Sequence, residues 1–307
     1  MKVLLVASFN KGRFAPFIVE QSEALKRAGC EIDFLGLQGK GLLGYLKNLP
    51  LLKRRIDDFK PDVIHAHYGL SGLLANLQRR VPVVVTYHGS DINDRKVLPF
   101  SKMAMRLSAW NVFVSKKTLA IARPTKSYSL LPCGIDLMDL QLTQRLEARQ
   151  RLHLDKGKKY VLFAGAFDNF VKNAPLAKDA VAFLEDDNIE LLELKGYTRE
   201  EVTLLMCAAD VFLMTSFNEG SPQVIKEALA CGCPIVSVDV GDVGERIEGV
   251  DGCYLAKTHD ATELAALLKE ALLFDGKTKG RDKIIADGLD NTQVATQLMD
   301  IYKTIKA

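Results

Sequence analysis

The sequence has no apolar stretch long enough to cross a membrane. A membrane-spanning helix needs roughly 20 consecutive apolar residues, and no run among the 307 residues approaches that length. The opening MKVLLVASFN contains an apolar run that is too short for a signal peptide and predicts a first β-strand instead. We therefore expect a cytoplasmic protein, and a location at the inner face of a membrane stays open.

Patterns that bind metal ions are equally scarce. Cys231 and Cys233 form a single Cys-x-Cys pair, and no second pair stands at zinc spacing. His65 and His67 point to one face of a presumed strand, but no third ligand accompanies them, and no Asp-x-Asp motif occurs. We expect buried free thiols in a reducing compartment and no metal or other cofactor.

Nucleic-acid-binding motifs are missing too, although the charge is uneven. Residues 1–134 contain 21 Lys and Arg against 9 Asp and Glu, whereas residues 135–307 contain 20 against 29. This asymmetry predicts two domains with different partners, the first of which faces something anionic. Nucleic acid is possible, but the basic residues are dispersed, and a membrane surface or a phosphate-bearing acceptor fits as well; we expect no nucleic-acid partner.

Short apolar runs alternate with helical patterns through both halves of the chain. The runs are KVLLVASF, EIDFLGL, DVIHAHY, PVVVTYHG and WNVFVS, then YVLFAGAF, IELLELKG, DVFLMTS, PIVSVDV and GCYLA. Such alternation predicts βαβ units and parallel sheets, whose doubly buried strands are continuously apolar. The expected fold class is α/β, with two doubly wound, Rossmann-like parallel-sheet domains that face each other across a cleft.

The expected domain boundaries follow from one stretch without strand character. Residues 132–159 predict a linker with a short helix, so the domains are residues 1–134 and 135–307, with the linker at about 135–158. Whether the C-terminal helix packs back on the first domain stays open.

The segment NEGSPQVIKEALACGCP, residues 218–234, combines a helix start with two carboxylates. Ser221 suits the N-cap and Pro222 the first helical position. The N-terminus of such a helix attracts phosphate. Glu219 precedes the helix, and Glu227 lies two turns into it, from where its side chain leans back toward a ligand. A diphosphate between two sugars satisfies these groups; two solvated glutamates around a helix cap are the alternative.

The longer segment TSFNEGSPQVIKEALACGCPIVSVDVGDVGERI closely resembles the donor-site segment of glycosyltransferase family four, the retaining enzymes of GT-B architecture. DVIHAH and VVVTYHGSD resemble first-domain segments of that family, and LPCGID resembles its interdomain motif with Cys133 in place of Asn. The resemblance runs from Met1 to about Leu255. It implies transfer of a sugar from a nucleotide-sugar donor to a glycan or lipid-linked acceptor, in cell-surface polysaccharide synthesis.

The resemblance also implies roles for residues of the second domain. Glu219 would bind hydroxyls of the transferred sugar, Glu227 would bind the nucleotide ribose, and Lys172 would neutralise the departing diphosphate. Backbone groups of four consecutive residues would hold sugar or phosphate oxygens: Gly220, Ser221, Pro222 and Gln223. An abbreviated wall would contact the base of a UDP- or GDP-sugar: Lys195, Gly196 and Tyr197.

In the first domain, the resemblance implies that His88 donates a hydrogen bond to the transferred sugar and stabilises developing positive charge through its imidazole dipole. His67 and Asp91 are the candidate acceptor-binding residues. Each has an ordinary alternative, because the histidines could be core residues and Asp91 could cap a turn.

The chain departs from the family pattern where the family usually has an Arg. Gly165 is followed by Ala166, so one diphosphate-binding cation is missing. Lys11 or Arg13, on either side of Gly12 in the loop after the first strand, would supply that cation across the closed cleft.

Two alternatives to the transferase remain at this point. The missing Arg favours a catalytically silent nucleotide-sugar-binding protein, although the presence of both Glu219 and Glu227 argues against loss of the site. A nucleotide-sugar epimerase on the same architecture would need an acid/base set that the segment does not suggest.

Residues 40–56, which mix leucines with basic residues, predict either a peripheral contact with anionic membrane or a core-packed helix.

Overall fold

The computed structural model describes residues 1–306, which divide into two compact units. Unit 1 combines Met1–Ile135 with the chain from Leu289 onward, and unit 2 is Asp136–Gly288. This division differs from the expected second domain, 135–307, because the last helix belongs to unit 1. Its apolar side chains, Leu298 and Tyr302 among them, complete a core cluster of the first sheet.

Unit 1 is built around a parallel sheet. Its elements are β1 (Lys2–Ser8), α1 (Pro16–Arg27), β2 (Glu31–Leu37), α2 (Gly41–Leu46), α3 (Leu49–Phe59), β3 (Val63–His67), α4 (Gly69–Asn76), β4 (Val83–Tyr87), α5 (Ser90–Asn93), α6 (Leu98–Leu107), β5 (Trp110–Phe113), α7 (Lys116–Ala122), β6 (Tyr128–Leu130) and α15 (Asn291–Lys306). The strand order is β2-β1-β3-β4-β5-β6, and every pairing is parallel. The order reverses at β1, so the crevice between β1 and β3 is the switch point where such sheets bind ligands.

Unit 2 repeats the architecture on a smaller scale. Its elements are α8 (Arg145–Arg151), β7 (Lys159–Phe163), a 3₁₀ turn (Phe170–Lys172), α9 (Ala174–Ala182), β8 (Ile189–Glu193), α10 (Arg199–Ala208), β9 (Val211–Met214), α11 (Gln223–Ala230), β10 (Ile235–Val238), α12 (Val243–Ile247), β11 (Cys253–Ala256), α13 (Ala261–Leu273) and α14 (Gly280–Ala286). The strands run parallel in the order β11-β10-β9-β7-β8. The switch point of this sheet therefore lies between β7 and β9.

The apolar runs of the sequence became the central strands. Every residue of β3, β4, β9 and β10 is buried, as expected for strands that helices cover on both faces. Pro50 lies in the first turn of α3, where a missing N–H costs no hydrogen bond.

Candidate functional site

The loops that follow β7 and β9 bring Lys172 and Glu219 together at the switch point of unit 2. Lys172 Nζ donates to Glu219 Oε1 at 2.7 Å, and the two side chains are only 19% and 18% exposed. Gly165 makes room for this lysine, because a Cβ at that position would lie 2.8 Å from Lys172 Cγ. Lys172, predicted to neutralise the diphosphate, and Glu219, predicted to bind the transferred sugar, thus form one ion pair.

Backbone contacts fix the loop that carries Glu219. Thr215 Oγ1 donates to the carbonyl oxygens of Lys172 and Asn173, both at 2.9 Å. The Phe217 N–H donates to the Val171 carbonyl at 2.9 Å. These hydrogen bonds join the loop after β9 to the 3₁₀ turn and so keep Lys172 and Glu219 next to each other.

The segment at the start of α11 differs from its predicted form. The helix begins at Gln223 with Pro222 at the N-cap, and no side chain caps it in the part of the chain that the structure describes. Ser221, the predicted cap, instead donates from Oγ to Asp242 Oδ2 at 2.8 Å. Asp242 is buried, and that burial raises the pKa of its carboxyl. Because a buried carboxylate needs hydrogen-bond donors, the Ser221 hydroxyl bonds to Asp242 and does not cap α11.

A close approach of two backbones holds the same segment from behind. Gly241 follows β10 with a φ of +56°, and a Cβ on it would lie 2.6 Å from the Gly220 carbonyl oxygen. A side chain at position 241 would therefore displace the backbone of Gly220 and Ser221. The N-terminal N–H groups of α11 are thus supported by a packed layer and not capped by a side chain, an arrangement that suits an anion.

Glu227 lies on α11 and forms an ion pair with Arg199, the first residue of α10. Its side chain is almost buried, at 8% exposed. Sequence reasoning missed Arg199. Its position two residues after Tyr197, which was predicted to contact the nucleotide base, was the available signal.

The predicted base-contacting residues lie in the loop after β8. The Leu194 N–H donates to the Gly165 carbonyl at 2.8 Å, so this loop lies beside the loop after β7. Lys195 Nζ donates to Asp168 Oδ2 at 2.6 Å. Gly196 has a φ of +84°, and Tyr197 is exposed.

In unit 1, His65 and His67 lie on β3 and are fully buried. His65 is a satisfied core residue, because Nδ1 lies 2.5 Å from Tyr302 Oη and Nε2 lies 2.7 Å from Thr86 Oγ1. Burial lowers the pKa of His65 to about 3 and holds the pKa of His67 well below its ordinary value. Both rings are therefore neutral at physiological pH.

His67 fixes the protonation of His88. His67 Nδ1 lies 3.0 Å from His88 Nε2, and His67 Nε2 is buried without a partner in residues 1–306. Since an unpaired buried N–H is costly, we infer the tautomer in which His67 carries its proton on Nδ1 and donates it to His88. Neutral His88 then carries its own proton on Nδ1, which lies 3.7 Å from Cys133 Sγ. Both ring nitrogens thus face side chains of unit 1.

Asp91 caps the turn that carries His88. Its carboxylate accepts hydrogen bonds from the N–H groups of Gly69 at 2.9 Å and of His88 and Gly89 at 3.0 Å each. The side chain is buried, and desolvation raises its pKa to about 6 against the opposing effect of these bonds. It ties the loop after β3 to the loop after β4.

Arg13 and Asp91 line one cavity of unit 1, of about 680 Å³, together with Lys11. Gly12 stands between the two basic residues with a φ of +69°. The structure therefore brings Arg13 to the unit-1 cavity, whereas Lys172, Glu219 and the other predicted donor residues lie in unit 2.

Residues 1–306 contain no group of three or more His, Cys, Asp or Glu side chains that could hold a metal ion. Over the same range, every helix is too short or too polar to span a lipid bilayer.

Two family models match the chain. The model described as Glycosyltransferase Family 4 matches residues 32–138, and the model described as Glycosyl transferases group 1 matches residues 175–273. The first match falls almost wholly in unit 1. The second falls in unit 2 and contains both Glu219 and Glu227.

Curated relatives carry corresponding names. TuaC of Bacillus subtilis, named as a teichuronic acid biosynthesis glycosyltransferase, is 28% identical over an alignment of 224 positions that covers 64% of this chain and 57% of that protein. AmsK of Erwinia amylovora, named as an amylovoran biosynthesis glycosyltransferase, is 28% identical over an alignment of 248 positions that covers 68% of this chain and 61% of that protein. The chain thus spans about three fifths of the length of these relatives.

Solved structures share the fold. Sucrose-phosphate synthase from Thermosynechococcus elongatus has a TM-score of 0.83 at 18% identity, over 99% of each chain. Anabaena Alr3699/HepE, in complex with UDP and glucose, has a TM-score of 0.74 at 17% identity, over 99% of this chain and 100% of that one. These likenesses confirm the GT-B fold class. The two matched family models lead to one conclusion: the chain contains a Glycosyltransferase Family 4 domain followed by a Glycosyl transferases group 1 domain.

Proposed function

We propose that this protein is a retaining glycosyltransferase that moves a sugar from a nucleotide-sugar donor to a glycan or lipid-linked acceptor, in the synthesis of a cell-surface polysaccharide. The observation that carries the proposal is the ion pair of Lys172 and Glu219 at the switch point of unit 2, just before the uncapped start of α11. The names of the relatives and the UDP and glucose bound to HepE support it. The donor would be a UDP- or GDP-sugar, bound as a substrate without a metal or other cofactor.

The ion pair can exchange its partners when the donor binds. The Lys172 ammonium would turn to the diphosphate, and the released Glu219 carboxylate would accept hydrogen bonds from the sugar hydroxyls. Backbone groups from Gly220 to Gln223, with the N–H groups of α11, would add partial positive charge. As the bond between sugar and diphosphate breaks, negative charge grows on the leaving phosphate, and these groups stabilise it.

The nucleoside would lie along the loop after β8. Glu227 would accept hydrogen bonds from the ribose hydroxyls, and Arg199 holds its carboxylate in place. The base would contact Lys195, Gly196 and Tyr197. Arg199 also places a cation within unit 2, beside Glu227.

In unit 1, neutral His88 would donate from Nδ1 to a hydroxyl of the transferred sugar, in exchange for its weak contact with Cys133. His67 and Asp91 would shape the acceptor side, chiefly by holding His88 and its turn. Without a protein nucleophile, retention would have the acceptor attack from the face that the diphosphate leaves, with the departing phosphate taking the proton. Positioning and charge stabilisation would then supply the catalysis.

A turnover assay with a panel of nucleotide sugars tests the proposal. We expect transfer or slow donor hydrolysis with one nucleotide, and a loss of about 100-fold in kcat/KM for Lys172→Met and Glu219→Gln. Lys158→Met is the matched control, because it breaks an exposed Lys–Glu pair of the same unit, with Glu190. An epimerised product would favour the epimerase, and binding without turnover would favour a silent protein; either result overturns the proposal.

Thermal stabilisation identifies the nucleotide before any acceptor is known. A ligand at 100 times its dissociation constant adds about 2.7 kcal/mol to the free energy of unfolding. We expect UDP or GDP, but not ADP, to raise the Tm at millimolar concentration. No stabilisation by any of the three nucleotides would contradict donor binding.

We further propose that the enzyme acts at the cytoplasmic side, with a peripheral contact to anionic membrane through α2 and α3. Six free cysteines suit a reducing compartment. Tyr45, Leu52 and Ile56 pack in the core, whereas Leu43 and Leu51 are exposed beside basic residues. Flotation with anionic liposomes at low salt should recruit the wild type but not Leu43→Ser/Leu51→Ser; equal recruitment of both, or of neither, would refute the contact.

A further inference from the structure

Unit 1 has a cavity of about 680 Å³ beyond the carboxyl ends of β1, β3 and β4. It lies at the β1–β3 switch point, and its volume is within the range of about 300–1,000 Å³ that small-molecule sites occupy. Ile18 and Tyr45 form a buried apolar floor, while Lys11 and Arg13 stand exposed at the rim. Such a wall suits a ligand with one apolar face and one charged group.

The two signs of charge in this cavity differ in their pairing. The carboxylate of Asp91 accepts hydrogen bonds from three backbone N–H groups, and Asp94 Oδ1 accepts one from the Lys96 N–H. Lys11 and Arg13 form no hydrogen bond or ion pair through their side chains within residues 1–306. The lining thus holds two carboxylates and two cations, and the cations are the charged groups left without a partner, so they can contact an anionic part of a ligand.

Tyr68 lines the same cavity with a strained backbone. Its φ is +72°, a value that is rare for residues other than glycine and that clusters at ligand sites. The Tyr68 N–H donates to the Thr86 carbonyl at 2.9 Å, which holds the residue in place. Burial raises the pKa of its hydroxyl, which therefore remains a hydrogen-bond donor. A donor on a flat aromatic ring suits a sugar ring.

We propose that this cavity binds the acceptor and that the acceptor is an acidic saccharide. Its carboxylate or phosphate contacts Lys11 and Arg13, and its ring packs against Tyr45 and Tyr68. This inference rests on the proposed glycosyl transfer. It replaces the predicted contact of Lys11 or Arg13 with the donor diphosphate, because both side chains line a cavity of unit 1 that also carries groups suited to a sugar.

Binding of simple probes tests the inference without knowledge of the natural acceptor. The amide shift of Gly12 is followed by NMR during titration with glucuronate, glucose 6-phosphate, glucose and inorganic phosphate. We expect one or both acidic sugars to bind about 3- to 10-fold more tightly than glucose, since two exposed cations contribute modestly. Lys11→Ala/Arg13→Ala should remove this preference. Lys102→Ala/Lys126→Ala, which removes the same charge from other exposed positions of unit 1, should keep it.

Each arm has a distinct meaning. Preference for glucuronate indicates a uronate acceptor, and preference for glucose 6-phosphate indicates a phosphorylated one; both support the inference. Equal binding of glucose, or equal binding of inorganic phosphate and glucose 6-phosphate, overturns it. A loss of UDP or GDP affinity in Lys11→Ala/Arg13→Ala, with sugar binding unchanged, also overturns it and returns these cations to the donor. Failure of the wild type to bind any nucleotide would refute the proposed function instead.

Discussion

Replacement of Gly165 by Ala should weaken nucleotide binding without unfolding the protein. A Cβ at this position would lie 2.8, 3.2 and 3.3 Å from Cγ, Cδ and Cε of Lys172. These contacts involve the whole stem of the lysine, so the side chain must leave its present path and its ion pair with Glu219. The proposed ligand of the diphosphate would then be displaced.

Two opposing terms set the effect of Gly165→Ala on stability. Loss of a partly exposed ion pair costs about 0.2–1 kcal/mol, and a Gly-to-Ala change at a compatible φ gains about 0.4–1 kcal/mol. We expect the free energy of unfolding to change by less than about 1 kcal/mol. Hydrogen bonds to charged groups contribute about 1.5–3 kcal/mol, so the affinity for UDP or GDP should fall at least about 10-fold.

Calorimetric titration with the nucleotide, together with a denaturant melt, measures both quantities. Gly157→Ala is the matched control, because its Cβ would meet only Asp155 Oδ1, at an ordinary 3.4 Å. If Lys172→Met loses affinity and Gly165→Ala does not, the packing argument is wrong. If both variants keep wild-type affinity, Lys172 does not bind the diphosphate.

Three further predictions concern other contacts. Asp91→Asn should flatten the pH dependence of the Tm between pH 4 and 7: with a pKa raised to about 6 by burial, the wild-type carboxyl stabilises the fold below its unfolded pKa of 3.8 and loses that contribution as pH rises through about 6. A wild-type Tm that does not fall over that range would contradict this reasoning. His88 should give ¹⁵N signals of a neutral ring protonated at Nδ1, and His67→Leu should abolish this single tautomer; a mixed tautomer in the wild type would refute the proton assignment. Arg199→Ala and Glu227→Gln should each weaken nucleotide binding, and their combination should be clearly less than additive, because the two side chains act as one pair. Additive losses would count against this coupling.

The sheets could be predicted from the sequence because their strands carry a local signal. β3, β4, β9 and β10 are covered on both faces, so each is an uninterrupted apolar run. Short elements with exposed or weak patterns could not be predicted; examples are α12, with five residues, and α14, with seven. Less than two full turns carry too little periodicity to identify a helix.

The domain boundary could not be fixed, because its cause is non-local. The bond between His65 and Tyr302 joins positions 237 residues apart. The amphipathic pattern of α15 shows that it packs against something but does not identify which sheet. Assignment of this helix to unit 1 depends on such contacts.

The site was predicted in composition more than in geometry. Resemblance to the family identified Lys172 and Glu219, but their direct pairing depends on the tight fit over Gly165. The predicted cap failed because a buried carboxylate 21 positions away, Asp242, competes for the Ser221 hydroxyl. The local sequence around Ser221 does not show that a carboxylate from another loop will accept the hydrogen bond of its hydroxyl.

The return of the chain to unit 1 has a consequence for biosynthesis. The chain leaves that unit after Ile135 and re-enters it at Leu289, where Asn291 pairs with the Ile135 carbonyl. On a ribosome, unit 2 therefore has all its residues before unit 1 does. The apolar face of the first sheet that α15 covers stays exposed until this helix has been synthesised, and apolar surface exposed in this way is prone to aggregation.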